Sequence, residues 1–218
     1  VLNNAIQDNG SDGFYCGTSD TLYFNENTVL NNNADGFECT TDDTASIHNN
    51  MLHNNNGHGI KAYGNGIKNV YLNTMNNNYT GYYGYGLHYF IENQAILNSP
   101  KGSVFIDGNN TEGHIIKDNV VTFNVNGTGV HCSGGGIGYY SSALGLYRVG
   151  YAQVTGNTLS DNFKGLTRCS DEVWTGTGEG GLTQGRSMAA LSVYGSENFI
   201  SDNIITNNHS KTDMRDNL

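Results

Sequence analysis

Apolar residues and asparagines recur along the chain in a frame of nine residues, which occurs seven times. The frame is an apolar residue, two variable residues, Asn, one variable residue, an apolar residue, two variable residues and Asn. Its first Asn falls at Asn27, Asn50, Asn73, Asn93, Asn119, Asn157 and Asn203, and its second at Asn32, Asn55, Asn78, Asn98, Asn124, Asn162 and Asn208. The first three copies lie 23 residues apart, and the later spacings are 20, 26, 38 and 46 residues. A period in the twenties predicts a solenoid, because each unit is too small to bury its own apolar face and must stack on its neighbours.

The apolar positions are spaced as in strands rather than in heptads, and the abundant Gly and Asn tolerate the left-handed backbone of tight turns. We predict an all-β, single-stranded, right-handed parallel β-helix of about seven to eight coils, with about three short strands in each coil. Successive coils lie about 4.8 Å apart, so that equivalent Asn side chains hydrogen-bond up and down the stack as ladders. A leucine-rich horseshoe is the competing solenoid, but its leucine frame is missing from the chain.

Residues 1–218 are predicted to form a single β-helix domain, and a partial copy of the frame opens the chain at residues 1–4. We expect both ends to be truncated or uncapped, because no amphipathic capping helix is visible. Two long loops are predicted in the C-terminal half, at about residues 132–150 and 169–195. They leave the same corner of successive coils, and we expect them to lie side by side as a wall or lid.

The charge balance limits the partners. The chain has 10 Lys and Arg against 20 Asp and Glu, a formal net charge of −10. So few cations argue against nucleic acid, whose phosphates must be neutralised, and against an anionic membrane surface. No apolar run approaches the length of a membrane span, so we expect no membrane insertion. The chain begins at Val1 without a signal peptide, so the sequence is expected to be mature or truncated.

Four cysteines fall into two pairs on neighbouring coils. Cys16 and Cys39 are 23 residues apart, and Cys132 and Cys169 lie near equivalent positions of later coils. The coil spacing of about 4.8 Å is within the range of Cα separations in disulfides. We therefore expect two disulfides, with a buried ladder of free thiols as the alternative. Metal binding by cysteine is not expected, because no C-x-x-C pair occurs.

Five N-x-S/T sequons suit a secreted chain. Two of them, at Asn78 and Asn208, are frame positions and are expected to be engaged in the ladders. Asn9, Asn109 and Asn126 lie in predicted turns and are the glycosylation candidates. The disulfides and sequons together predict an extracellular protein, secreted or at the cell surface.

The strands that follow Gly13, Gly36 and Gly59 carry the polar residues that suggest chemistry. Residues 11–16, 34–39 and 57–62 stack in equivalent positions, and strand alternation turns Tyr15 and its equivalents outward. Asp12, Asp35 and His58 each directly precede one of these glycines. Three stacked ionisable groups cannot stay buried without partners, so we place them at the solvent edge. The candidate catalytic residues, which we call the polar column, are Asp12, Asp35, Glu38, His58 and Lys61. Neighbouring carboxylates raise one another's pKa and a nearby cation lowers it, so such a cluster can supply a general acid or base. The alternative is a solvated strand face with ordinary ion pairs.

Aromatic and basic side chains elsewhere are candidates for contacts with a sugar chain. Exposed tyrosines suit stacking on sugar rings, although a tyrosine ladder in the core is an alternative, and a tryptophan on a long loop is a further platform. The predicted substrate-binding residues are Tyr15, Tyr83, His131, Arg148 and Trp174. His48, His53 and His88 are expected on other faces, at the surface.

The frame Asn-x-Val-x-x-Asn-x-x-x-Gly-Phe resembles the parallel β-helix repeats of the pectin-lyase-like superfamily, which includes the NosD-type repeats of carbohydrate-binding and sugar-hydrolase modules. The Asp-Gly-Phe turns at Asp12 and Asp35 are similar to those of mannuronan C5-epimerases, and this resemblance implies that one of the two belongs to a catalytic cleft. The Tyr-Gly-Phe-Asp-Pro-His segment of that family is absent here. A weaker similarity to polygalacturonases rests on the Gly-His-Gly turn at His58, and the chain departs from that family at Ala34 and in lacking an Arg-Ile-Lys triplet.

These observations favour a secreted carbohydrate-active protein that acts on an acidic polysaccharide by epimerisation, β-elimination or hydrolysis, using general acid/base chemistry on the outer strand face. A net charge of −10 repels a polyanion unless the cleft is locally basic or bridged by Ca²⁺, so the expected cofactor is either none or Ca²⁺. One alternative is a structural or adhesive protein whose uncapped coils stack end to end on copies of itself in a filament. Another is a non-catalytic carbohydrate-binding module, because a fold does not by itself decide a function.

Overall fold

The computed structural model describes residues 1–18, 20–98, 103–126, 143–164, 190–195 and 198–210. Within these ranges the regular elements are all β-strands, paired in parallel. The described part holds no helix with the length and apolarity that a membrane crossing needs. Most of the two predicted long loops lies outside the described residues, as do His131, Cys132, Cys169 and Trp174.

Each coil adds one strand to each of three sheets, numbered here in the order in which the coil passes through them. The strands of sheet 1 are Phe14–Thr18, Phe37–Thr41, His58–Tyr63, Thr80–Tyr85, Val104–Asp107, Leu144–Val149 and Leu191–Gly195. The strands of sheet 2 are Leu22–Asn25, Ala45–His48, Ile67–Tyr71, Leu87–Ile91, Glu112–Lys117, Tyr151–Thr155 and Phe199–Ser201. The strands of sheet 3 are Ala5–Gln7, Thr28–Leu30, Met51–His53, Thr74–Asn76, Gln94–Ile96, Val120–Thr122, Thr158–Ser160 and Ile204–Thr206. A short fourth sheet contains Val125–Asn126, Phe163–Lys164 and His209–Ser210.

The two apolar positions of the frame form the core. The first position belongs to sheet 2 and pairs in register from coil to coil, as Phe24 with Ile47 and Ile47 with Val70. The second belongs to sheet 3, where Val29 pairs with Leu52. All five side chains are fully buried. Residues one period apart are therefore vertical neighbours, which confirms the predicted parallel β-helix.

The frame asparagines form two continuous ladders. The side-chain oxygen of Asn50 accepts hydrogen bonds from the main-chain N–H and the side-chain amide of Asn27, at 2.9 and 3.1 Å. Asn73 accepts the same pair of bonds from Asn50, at 3.0 and 2.9 Å. The second ladder repeats the pattern from Asn32 to Asn55, at 3.2 and 2.8 Å. Because each amide satisfies polar groups at a buried corner, the ladders hold the coils in register.

The residue before each ladder Asn has a left-handed backbone, with φ of 57° at Glu26, 56° at Asn49 and 57° at Leu72. This conformation costs an L-residue other than Gly roughly 1–2 kcal/mol. It turns the chain sharply between sheets 2 and 3 and leaves the following Asn pointing inward, where the ladder bonds offset the cost. The corner geometry thus explains why Asn, and not another polar residue, recurs in the frame.

One of the two predicted disulfides lies in the described residues. Cys16 and Cys39 are bonded across neighbouring strands of sheet 1, with their Cα atoms 4.6 Å apart. This confirms the pairing predicted from the 23-residue spacing. The pair Cys132 and Cys169 lies outside the described residues and stays a prediction.

The glycosylation candidates are placed differently from the expectation. Asn9 occupies a ladder position, because its side-chain amide donates to Asn32 Oδ1 at 2.8 Å, and the sequence analysis missed this. Asn126 falls in the strand Val125–Asn126, so its predicted position in a turn is wrong. Asn109 does lie between strands, half-buried, and donates to Asn65 Oδ1 at 3.4 Å. Glycosylation itself stays a prediction.

Sheet 2 also carries an inward column of polar residues, which we call the basic core column: Lys68, His88 and His114. All three are fully buried and lie on successive coils. The expectation that His88 is at the surface is therefore wrong. The ammonium of Lys68 donates to the carbonyls of Thr41, Gly64 and Gly66 at 3.3, 3.0 and 2.8 Å, which replaces the water that it loses.

Candidate functional site

The outer face of sheet 1 brings the polar column together. Strand pairing places Tyr15 beside Glu38, Glu38 beside Lys61 and Lys61 beside Tyr83. The residues that precede and follow each of these face the core, as period-two alternation requires. The four side chains therefore form the outward file that the sequence predicted, extended by one coil to Tyr83.

The acidic residues next to the glycines form a second file. The main-chain N–H of Asp35 donates to Asp12 Oδ1 at 2.9 Å, and the N–H of His58 donates to Asp35 Oδ1 at 2.7 Å. Each carboxylate thus links two coils in the way that the ladder asparagines do. A side chain at Gly57 would collide with Asp35 Oδ1, so glycine is required where this coil passes over the carboxylate.

Asp35 is the centre of the site. Its Oδ1 lies 2.8 Å from Nδ1 of His58, and its Oδ2 lies 3.3 Å from Nζ of Lys61. Only 7% of Asp35 is exposed, so its expected place at the solvent edge is wrong. The argument that buried ionisable groups must be paired holds, but here the pairing partners are His58 and Lys61 rather than water.

The environment fixes the charge of two members of the polar column. Burial by itself raises the pKa of Asp35, but the hydrogen bonds and charge of His58 and the charge of Lys61 outweigh it and lower this pKa from 3.8 to about 2. Burial likewise lowers the pKa of Lys61, but the carboxylates of Glu38 and Asp35 outweigh it and raise that pKa. Asp35 therefore stays ionised and Lys61 stays protonated at neutral pH.

The contact with Asp35 orients the ring of His58. An ionised carboxylate can only accept hydrogen bonds, so Nδ1 of His58 carries the proton that it donates to Asp35. In the neutral imidazole, Nε2 then holds the free lone pair. The side chain of His58 is 22% exposed, which leaves it within reach of a bound molecule.

Aromatic rings line this part of the sheet. The ring of Tyr83 contacts His58 edge-on at 5.5 Å and Tyr63 at 5.4 Å between centroids. Lys61 Nζ lies 5.4 Å from the centre of the Tyr63 ring. The sequence analysis did not single out Tyr63, although its place two residues after Lys61 on the same strand face would have identified it.

Of the predicted substrate-binding residues, Tyr15 lies at the first coil of the outward file and Arg148 lies away from it. Tyr15 is 66% exposed and belongs to the coil two turns before His58. Arg148 pairs with Asp107, with Nε 2.9 Å from Oδ1 and a second contact from its terminal nitrogen to Oδ2. The strand pairing puts Arg148 on the third coil after Lys61, so the structure does not join it to the polar column.

The carboxylates of Asp12, Asp35 and Glu38 were tested as a Ca²⁺ site. One oxygen from each lies within 4.8 Å of the others, and carboxylate oxygens are the ligands that Ca²⁺ prefers. However, Nζ of Lys61 is already 3.3 Å from Asp35 and 3.1 Å from Glu38. The ammonium is thus already paired with two of the three carboxylates, so these residues fit a metal ion poorly.

Comparison with known proteins bears on the fold. A family model described as a right handed beta helix region matches residues 1–178, a range that includes the whole polar column. No curated protein and no solved structure matches the chain. The specific similarity to mannuronan C5-epimerases, NosD-type repeats or polygalacturonases stays a prediction.

Proposed function

Since the chain belongs to the family of right-handed β-helix regions, we propose that it is a secreted enzyme that acts on an acidic polysaccharide by removing a proton from a uronate ring. Loss of the proton at C5, next to the carboxylate, is the first step of both epimerisation and β-elimination. Return of a proton to the opposite face gives the epimer, and departure of the 4-linked sugar gives an unsaturated end. Both reactions need a base and a cation beside the carboxylate.

The observation that carries the proposal is the contact of Asp35 with both His58 and Lys61. Asp35 holds Nδ1 of His58 at 2.8 Å, which orients the ring and leaves Nε2 as the base. Lys61, whose Nζ lies 3.3 Å from Oδ2 of the same aspartate, supplies a positive charge beside the base. There it would stabilise the negative charge that develops on the uronate when the proton leaves.

Proton abstraction fits the polar column better than hydrolysis does. Glycoside hydrolysis requires one carboxylic acid that is protonated and donates to the leaving oxygen. Asp35, the carboxylate at the centre of the site, has a pKa of about 2 and is held ionised by its two partners. It can position a base but cannot act as that acid. The rings of Tyr83 and Tyr63, which contact each other beside His58, would supply the stacking contacts to the sugar ring.

The proposal is tested by following the C5 proton of polyuronates in D₂O by NMR. The wild-type chain is expected to cause deuterium incorporation at C5 or the appearance of an unsaturated end. His58→Gln, which removes the base, should slow this reaction about 100-fold or more. His53→Gln is the matched control, because His53 lies on sheet 3, away from the polar column. Absence of both products with every polyuronate, or full activity of His58→Gln, would contradict the proposal.

End-to-end stacking into a filament is the second candidate function. Ile200 and Ile205 on the last described coil are 49% and 48% exposed, whereas the equivalent residues of inner coils, such as Ile47 and Leu52, are fully buried. A further coil stacked in register would cover both side chains. Electron microscopy of the purified chain should then show rods that lengthen with concentration. Separate particles the length of one chain at every concentration would exclude filament formation by this chain alone.

A further inference from the structure

We propose that Glu38 is a built-in counter-ion that occupies, on Lys61, the place of a substrate carboxylate, and so makes the site selective for uronate sugars. The inference rests on the proposed function and adds a specificity-determining residue to it. Glu38 is the second carboxylate bound to Lys61, and it takes no part in the proton transfer proposed above.

The contacts of the two carboxylates on Lys61 differ in kind. Nζ of Lys61 lies 3.1 Å from Glu38 Oε1 and 3.3 Å from Asp35 Oδ2. Asp35 is also held by the main-chain N–H and the ring of His58, and its own N–H is bonded to Asp12. Among the described contacts, the carboxylate of Glu38 is held by Lys61 alone. Glu38 is therefore the partner that can be displaced.

The position of Glu38 suits such an exchange. It lies in the outward file, directly between Tyr15 and Lys61, and its side chain is 19% exposed compared with 10% for Asp35. An incoming carboxylate that approaches Lys61 from solvent meets Glu38 before it meets Asp35. Swinging the flexible Glu38 side chain away breaks one ion pair and leaves the Asp35–His58 contact in place.

The selectivity depends on which group of a ligand can replace the Glu38 carboxylate on Lys61. A uronate brings its own negative charge to Lys61, so the ammonium remains paired when Glu38 leaves. The hydroxyls of a neutral sugar bring no charge, so opening the pair for them would leave Glu38 without its partner and Lys61 with Asp35 alone. The internal pair thus excludes neutral sugars, and it also weakens uronate binding because it must be opened first.

Glu38→Gln is the test, because glutamine keeps the shape and removes the charge. Binding of an oligogalacturonate, an oligomannuronate and a neutral oligosaccharide of equal length is measured by calorimetry on the full chain. We expect Glu38→Gln to tighten the binding of at least one oligouronate about three- to tenfold, as expected when one partly exposed ion pair no longer competes. The neutral oligosaccharide should gain more than the oligouronate does, because the pair that excluded it is gone. Lys61→Met should abolish the gain of the oligouronate in the double variant.

Glu112→Gln is the matched control, because it makes the same change in net charge at an exposed position of sheet 2. If Glu38→Gln binds oligouronates no more tightly than Glu112→Gln does, or if no variant binds an oligouronate, the inference is wrong. A neutral oligosaccharide that gains no more than the oligouronate does would also overturn it, because Glu38 would then contribute nothing to selectivity. Tighter oligouronate binding without any C5 exchange by the wild type would support the counter-ion role and contradict the proposed chemistry, so the two can fail separately.

Discussion

Replacing Asn73 by alanine is expected to lower the free energy of unfolding by about 4 kcal/mol, the largest effect of any single substitution considered for this chain. Asn73 is fully buried, and its oxygen accepts two hydrogen bonds from Asn50. Its amide donates to the carbonyls of Ile47 and Tyr71 and to Asn93 Oδ1, at 2.8, 3.1 and 3.0 Å. Alanine removes these five hydrogen bonds in a corner that water does not reach. Asn93 Oδ1 keeps the main-chain N–H of residue 73 and the Tyr71 carbonyl keeps the N–H of Asn49, but the main-chain N–H of Asn50 loses its acceptor. Each unsatisfied buried group costs roughly 1–3 kcal/mol.

Urea unfolding followed by circular dichroism measures this effect. Asn56→Ala is the matched control, because Asn56 is an exposed neighbour of the second ladder whose amide makes one long bond to Asn33, at 3.4 Å. The control should change stability by no more than about 0.5 kcal/mol. If Asn73→Ala is as stable as Asn56→Ala, the ladder does not hold the coils together.

Acidification from pH 7 to pH 4 is expected to destabilise the protein through the basic core column. The rings of His88 and His114 are parallel, with centroids 6.3 Å apart, and both are fully buried. Burial lowers the pKa of His88 well below 6.5, and its neighbours His114 and Lys68 lower it further. Burial lowers the pKa of His114 to about 4, although its bond to Thr111 opposes the change. Among the described residues, neither Nε2 of His88 nor the hydroxyl of the adjacent Tyr82 finds a hydrogen-bond partner.

The sign follows from proton binding. Between pH 6.5 and pH 4 the unfolded chain binds protons at these histidines and the folded chain does not, so stability falls as the pH falls. A shift of His114 from 6.5 to about 4 corresponds to a loss of roughly 3 kcal/mol by pH 4, and His88 adds to it. Asp35 contributes to the loss of stability only at lower pH. Because its pKa is lowered to about 2, the stabilisation by its charge is lost as the pH falls from 3.8 through 2. Lys68, with its pKa lowered to about 8, is protonated throughout this window.

The measurement is a series of urea unfolding curves between pH 7 and pH 4. The double variant His88→Leu/His114→Leu should lose most of the pH dependence, whatever its stability at pH 7, because leucine does not titrate. His53→Gln should retain the wild-type pH dependence, since its ring lies on sheet 3, outside the core column. A double variant with the wild-type slope would show that other groups cause the acid sensitivity.

The sequence allowed prediction of the stack and of the outward file on sheet 1. Because the asparagines mark the period, the register of Cys16 with Cys39 and of Glu38 with Lys61 follows from the sequence. The burial of Asp35 could not be predicted, because it depends on how far His58 and Lys61 reach across the coil boundary. The alternation of residues along a strand predicts which face of the sheet a side chain lies on. It does not predict whether side chains of the next coil extend far enough to cover it.

The sequence by itself determined which residues stack on which, since a periodic chain in a solenoid has essentially one register that buries every apolar position. Only the tertiary structure decided which polar groups are withdrawn from water. Lys68 and His88 lie inside because main-chain carbonyls at the corner, those of Gly64 and Gly66 for Lys68 and that of Gly86 for His88, accept their protons. Those carbonyls lie in the turns between sheets 1 and 2, where Gly64 and Gly86 have positive φ. The glycines mark the turns in the sequence, but the direction of each carbonyl depends on the three-dimensional course of the turn.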